Sequence, residues 1–323
     1  MIIGSYKIAF NAIKKHKNII IFHHTRPDGD CLGSQFGLAQ LIRANFPNKN
    51  VYIIGDNNNS FEWMNYKFDK WEDVQFENSL GIIVDASNAN RIFKSELLLD
   101  ERITHKLRID HHPVIADINY DYEWVDSSYV AAAEQIAYIA WKKKMKVPYD
   151  AAKHIYLGIT TDSGRFLYAS TSPRTYETVS NLIKKSNFDI QFVYNNLYAK
   201  TMKDIQITGE IMSNFKKQGR VLYYIFSKEL QDKMKITPDQ AAVYNNSLAN
   251  IEDNRIWLFF IELEDGSYRT RLRSNGPRVN KVAEAFNAGG HDQAAGAMVK
   301  KEEIQKVIDL ANQEIINFES ENK

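Results

Sequence analysis

Along the first third of the chain, short apolar runs rich in β-branched residues break off repeatedly at an Asp or a His. Asn18-Ile19-Ile20-Ile21-Phe22 runs into His23-His24, and Leu80-Gly81-Ile82-Ile83-Val84 stops at Asp85. Lys106-Leu107-Arg108-Ile109 stops at Asp110-His111-His112, while Val51-Tyr52-Ile53-Ile54-Gly55 opens into a polar loop. Runs of this length and composition read as buried strands. Helix-compatible stretches lie around them, at residues 5–16, 32–43, 129–143 and 150–160. Strands alternating with helices predict an α/β domain, a mainly parallel sheet with helices on both faces. In such sheets ligands bind at the carboxyl ends of the strands. That is where the Asp and His residues fall.

The densest of these ends is His23-His24-Thr25-Arg26-Pro27-Asp28-Gly29-Asp30-Cys31. Pro27 fixes φ, and Gly29 is expected to supply an unusual φ in the turn from strand to helix. Asp28-x-Asp30 can aim two carboxylates into one small volume. With Asp85, His111 and the Asp162 of Thr161-Asp162-Ser163-Gly164, the set becomes His24, Asp28, Asp30, Asp85, His111 and Asp162. Four carboxylates and two imidazoles suit two divalent ions sharing a bridging carboxylate. Ions about 3.5–4 Å apart can bind both the attacking and the leaving oxygens of a phosphoryl displacement. Mn2+ is the expected occupant, with Mg2+, Co2+ or Zn2+ as alternatives that affinity order alone does not separate.

Each residue also has a plainer reading. A single Asp at an element end is commonly a cap or turn residue. His23 reads as a packed imidazole facing away from the set, and Asp110 as an acceptor that orients a neighbouring imidazole. Arg26 and Arg165 could touch substrate or form structural ion pairs. What favours the joint reading is that successive element ends all deliver Asp or His. Cys31, the sole cysteine, rules out an intrachain disulfide and reads as a small residue where a helix begins.

Residues 1–185 form the expected metal-binding domain, and 186–218 a Lys-rich helical connector. Residues 219–323 form a smaller α/β domain. Within it, 255–263 and 267–274 read as a hairpin through Glu264-Asp265-Gly266, and 237–248 and 281–287 as helices. Ala288-Gly289-Gly290-His291 reads as a glycine-rich turn. Arg269, Arg271 and Arg273 alternate, so on a strand they share a face and can converge on phosphates. Ser274 and the Gly289-Gly290 backbone complete a candidate substrate site, with His291 contacting the same group or bracing its own loop.

The 41 basic and 40 acidic residues leave a net charge of +1, so nothing pulls the whole chain toward nucleic acid or a membrane. No uncharged stretch is long enough to span a bilayer, and the first residues lack the features of a secretory leader. A cytoplasmic location without a membrane partner is expected. A hydrophobic fraction of 44% leaves room for a homodimer without requiring one.

Taken together, His24-x-x-Pro27-Asp28-x-Asp30, Val84-Asp85, Asp110-His111-His112-Pro113 and Thr161-Asp162-Ser163-Gly164 resemble the four motifs of the DHH phosphoesterase superfamily, in order. Arg271-Leu272-Arg273-Ser274 through Gly289-Gly290-His291 resembles the DHH-associated domain, and the layout is similar to the nano-RNase A type. That resemblance implies His24, Asp28 and Asp85 at one metal and Asp30, Asp85, His111 and Asp162 at the other, with Asp85 bridging. It makes His112 and Asp85 the catalytic pair, His112 facing the scissile phosphate. It implies hydroxide attack on very short oligoribonucleotides, releasing mononucleotides, and on 3′-phosphoadenosine 5′-phosphate (pAp), releasing AMP. A phosphodiesterase of cyclic di-AMP or pApA is the rival, and a non-catalytic nucleotide-binding module a more distant one. A stable long nucleic-acid partner is not expected. One departure is Ala288, where the family usually has a further glycine.

Overall fold

The computed structural model describes residues 1–322, which divide into two compact units, Met1–Ala199 and the chain from Lys200 onward. In the first unit six strands form one sheet: β1 (Ile2–Gly4), β2 (Asn18–Phe22), β3 (Asn50–Ile53), β4 (Ser79–Val84), β5 (His105–Asp110) and β6 (Tyr122–Asp126). Their order is β1-β6-β5-β4-β2-β3. All neighbours are parallel except β1, which pairs antiparallel with β6. β2 and β4 are buried at every position, which is why their sequences are apolar without alternation.

The helices of this unit are α1 (Tyr6–Lys15), α2 (Gly29–Asn45), α3 (Ser95–Leu98), α4 (Ala132–Lys142), α5 (Tyr149–Asp162), α6 (Pro173–Ser186) and α7 (Ile190–Leu197). One sheet face, carrying Ile19, Ile21, Ile82, Val84 and Leu107, packs into the main core with α1, α2, α4 and α5. The other, carrying Ile20, Phe22 and Ile83, is covered by Val74, Ile92, Leu98 and Ile103 from loops, single turns and the short α3. Full-length helices are thus confined to one face.

Two glycines set how closely the helices pack. A Cβ on Gly33 of α2 would lie 2.5 Å from the His154 carbonyl of α5. One on Gly158 of α5 would lie 2.6 Å from the Ala133 Cβ of α4 and 3.1 Å from Asp30 Oδ1. Without side chains there, α5 runs against α2 and carries Asp162, at its last turn, toward Asp30.

The second unit holds α8 (Met202–Asn214), β7 (Lys216–Gln218), β8 (Val221–Phe226), α9 (Lys228–Met234), α10 (Pro238–Ala242), β9 (Ile256–Glu262), β10 (Tyr268–Ser274), α11 (Val279–Glu284), β11 (Gly289–His291), β12 (Ala294–Val299) and α12 (Ile304–Glu321). Its sheet order is β11-β12-β10-β9-β8-β7, with β8 and β9 parallel and the other pairs antiparallel. Separate cores fill its two faces.

Several expectations change. The connector segment is divided, α7 belonging to the first unit and α8 to the second. The glycine-rich segment is not a turn: Gly289, Gly290 and His291 pair with Gly296, Ala295 and Ala294 as an edge strand. The helix expected over 237–248 is α10 followed by a 3₁₀ turn, Val243–Asn246. In the turn after β2, Arg26 takes the left-handed conformation (φ 56°) and Gly29 does not. Gly29 instead opens α2, where a Cβ would collide with the Thr161 side chain, 2.4 Å from its Oγ1. Ala288 carries no positive φ; Asn287 does, at 55°, so the departure from the family pattern costs no backbone strain. No helix among the described residues is long and apolar enough to cross a membrane.

Candidate metal centre

Strand and helix ends of the first unit bring all six candidate ligands together. His24 follows β2, Asp28 and Asp30 begin α2, Asp85 follows β4, His111 follows β5, and Asp162 ends α5. Asp85 lies at the centre. Its Oδ2 is 3.4 Å from His24 Nε2, which is also 3.4 Å from Asp28 Oδ2. Its Oδ1 is 3.3 Å from His111 Nε2, which is 3.3 Å from Asp162 Oδ2 and 3.7 Å from Asp30 Oδ2. One carboxylate therefore turns one oxygen to each of two donor groups. Asp85 holds a left-handed backbone (φ 59°), its N–H fixed on the Ile109 carbonyl at 3.0 Å. A non-glycine residue there costs about 1 kcal/mol, and such strain gathers at functional sites.

The charges explain why the cluster suits cations. Asp30 is 1% exposed, and burial together with Asp85 and Asp162 pushes its carboxyl well above the ordinary range. Burial also lifts Asp162 to about 6, against the pull of His111. Burial acts to lower His111, yet Asp85, Asp30 and Asp162 raise it to about 10. Attraction to the Asp28 and Asp85 carboxylates likewise outweighs burial at His24 and raises it. The crowded carboxylates thus favour positive charge in their midst, whether from a proton or from a cation.

The donor set fits divalent metal. Ligands about 2.1 Å from a cation stand roughly 3–3.4 Å from one another, close to the separations here and longer than a good hydrogen bond. Asp85 Oδ1 is buried and has no sound hydrogen-bond partner among the described residues. Three groups meet the geometry for a metal ion, the last two sharing His111: His24 with Asp28 and Cys31, Asp85 with His111 and His112, and Asp30 with His111 and Asp162. Cys31 contributes little, because burial pushes its thiol up to about 12 and Sγ donates to the Asp28 carbonyl.

Plainer roles coexist with these. Asp28 Oδ1 caps α2 by accepting from the N–H groups of Asp30 and Cys31, each at 3.0 Å, and leaves Oδ2 for His24. His23 faces away: its Nδ1 donates to the His24 carbonyl, Nε2 accepts from the Asp56 N–H, and burial pushes it down to about 4. Arg26 is exposed and forms no ion pair among the described residues. Arg165 Nη1 reaches Tyr198 Oη at 3.4 Å.

Two supports escaped the sequence reading. The amino end of α4 donates from Ala132 and Ala133 N–H to Asp30, at 2.7 and 2.8 Å. Arg108 is fully buried, its guanidinium on Asp110 Oδ2 (2.7 Å), Ser87 Oγ (2.7 Å) and the Val114 carbonyl (3.0 Å). Asp110 Oδ1 in turn accepts from the N–H and the Nδ1 of His112, at 3.0 and 2.9 Å. Those contacts outweigh burial and hold Asp110 ionised, so His112 carries its Nδ1 proton and leaves Nε2 free. The signal was Arg108 itself, a charge inside an apolar strand and two residues from Asp110, hence on its face.

In the second unit, β10 pairs Arg271 with Gly296 and Arg273 with Ala294, which β12 pairs with Gly289 and His291. Arg271, Arg273 and His291 thus share one sheet face at neighbouring register positions. Arg271 Nε is buried without a partner among the described residues. Arg269 is drawn aside to Asp239. Ser274 is not with them: it is buried on the opposite face, and its hydroxyl donates to the Pro277 carbonyl.

Comparison with known proteins gives concordant results. Residues 18–159 match the family described as "DHH family, N-terminal domain", and residues 197–317 match "DHHA1 domain". The chain is 44% identical over 307 residues to a protein of Mycoplasma genitalium named "Bifunctional oligoribonuclease and PAP phosphatase NrnA", covering 94% of this chain and 96% of that one. It is 33% identical to the Bacillus subtilis protein of that name, covering 89% and 91%. In fold it is similar to the crystal structure of an exopolyphosphatase-related protein from Bacteroides fragilis, with TM-score 0.80, 23% identity and 95% of both chains covered.

Proposed function

Because this chain belongs to the DHH phosphoesterase family, we propose that it hydrolyses very short oligoribonucleotides to mononucleotides and converts pAp to AMP. It is a hydrolase, and a metal-dependent one. His24, Asp28 and Asp85 would hold one divalent cation, and Asp30, Asp85, His111 and Asp162 the other, with Mn2+ the preferred ion. Bound there, the pair would supply Lewis acidity at the phosphoryl oxygens and at a water.

The chain's own residues do the rest. Asp85 spans both donor groups with its two oxygens, and this observation carries the reading. The α4 amino end and Ser34 Oγ fix Asp30, so its carboxylate does not swing when substrate arrives. His112, half exposed and held through Nδ1 on Asp110, presents Nε2 to the opening lined by Asp85, Ser87, Asn88 and Arg91. From there Nε2 can take up a proton from water and pass it to the leaving oxygen, while Nδ1 keeps its own proton on Asp110. In the second unit Arg271, Arg273, Gly289, Gly290 and His291 are proposed to hold a non-reacting phosphate, arginine forks and backbone N–H groups being suited to it. Cytoplasmic location is part of the same reading.

The deciding experiment is hydrolysis in Mn2+ of pAp, pApA, a short RNA, a long RNA, cyclic di-AMP and pyrophosphate. Cleavage of pAp and short RNA, lost in Asp85→Asn, is expected. Preference for cyclic di-AMP would move the protein to dinucleotide turnover, and no turnover with any divalent ion would end the hydrolase reading.

A further inference from the structure

Immediately after Asp162 the chain does something costly. Gly164, Arg165 and Phe166 adopt left-handed backbone one after another, with φ of 55°, 66° and 66°. Glycine is at ease there, but Arg and Phe each give up about 1 kcal/mol. The turn is pinned by Phe166 N–H on Ser163 Oγ at 2.9 Å and Arg165 N–H on the Thr160 carbonyl at 2.7 Å.

The side chains show what the turn achieves. Phe166 goes inward, stacking on Tyr176 with centroids 5.8 Å apart. Leu167 and Tyr168 go outward and are 76% and 60% exposed. The Tyr168 ring folds back over Gly164, so closely that a Cβ on that glycine would lie 2.4 Å from Cε1. The Gly164 backbone therefore lies directly against the ring, which is otherwise largely open to solvent. The residue beneath it is two positions from Asp162, whose carboxylate is 3.3 Å from His111. Arg165, beside it, brings a cation and lies 5.7 Å from the ring centre of Tyr198.

An exposed aromatic ring braced from below, next to a phosphoryl-transfer centre and a guanidinium, is the arrangement on which a base stacks. A second copy of the chain could also cover exposed rings, but it would not require one to be braced beside Asp162. We propose that Tyr168, seated on Gly164, is a stacking platform for a nucleobase adjoining the scissile phosphate. This rests on the short-RNA and pAp reading and adds which part of the nucleotide the first unit recognises. It makes the base, and not only the phosphate, a determinant of turnover.

The test is a cycle between side chain and base. pAp and ribose 3,5-bisphosphate, which lacks the base, are compared by kcat/KM in Mn2+ and by equilibrium binding in EDTA. The proteins are the unaltered chain, Tyr168→Phe, Tyr168→Leu and Tyr168→Ala. The unaltered protein should prefer pAp, Tyr168→Phe should preserve the preference, and Tyr168→Ala should reduce it about tenfold or more. Tyr168→Leu keeps Gly164 covered without a π-face, so it should behave as Ala does even if Ala perturbs the turn. Equal preference in all four proteins, or none in the unaltered one, overturns the platform. A base preference lost on Tyr168→Leu in EDTA, with no hydrolysis of pAp or RNA in any metal, keeps the platform and overturns the hydrolase reading.

Discussion

Asp85 meets two demands at one position, a carboxylate shared between donor groups and a left-handed backbone. Asn tolerates that backbone nearly as well as Asp. Asp85→Asn should therefore lower kcat/KM by at least about 100-fold, since a shared charged ligand is gone. It should leave the metal-free protein about as stable as before, because relief of repulsion with Asp30 and Asp162 offsets the lost attraction to His24 and His111. Thermal melting in EDTA beside the activity assay checks both halves. Arg108 predicts the opposite pattern. Arg108→Met strands the buried Asp110 carboxylate and should cost about 3–5 kcal/mol by urea unfolding. The clustered Asp and His residues were legible as candidate ligands because metal chemistry restricts residue type. Arg108 and the α4 N–H groups were not, since what they touch is set by tertiary packing.

Among the elements, α5 is the most constrained, with Gly158 against α4 and His154 packed on Phe36 and Tyr66. Gly158→Ala should destabilise by about 1–3 kcal/mol through overpacking, and it should displace Asp30, so activity falls beyond the stability loss. Burial, with Lys153 nearby, pushes His154 from 6.5 down to about 3. The folded chain then refuses a proton that the unfolded chain accepts below pH 6.5. This contribution is intact above pH 6.5 and is lost as pH falls toward 3, about 2 kcal/mol of it by pH 5. His154→Phe should remove that part of the pH dependence, read as the difference between unfolding midpoints at pH 7 and pH 5. Long elements were readable from periodicity: α2, α4, α5 and the buried strands lie near where the pattern puts them. β1, β7 and β11 were not, because a three-residue strand is defined by its partner and carries too little pattern of its own.

At the scale of the whole molecule, every group of residues with metal-holding geometry among those described lies in the first unit. Adding Mn2+ should slow amide hydrogen exchange at the start of α2, after β4 and after β5, and leave β8, β9 and β10 unchanged. Protection spread evenly over both sheets would contradict that assignment. The near-neutral charge balance fits a division of labour in which cations and arginines act locally, one set in each unit.

The left-handed backbone at residue 85 also bears on how such a protein could change over generations. A replacement by most side chains would pay in folding and be purged. Glycine would keep the backbone but lose the side chain; Asn keeps both shapes while silencing the chemistry, so one open road away from catalysis runs through a well-folded intermediate. A descendant on that road would retain the arginine strand and the exposed ring proposed to hold phosphate and base. It would persist as a nucleotide receptor, and its past would be written in one amide.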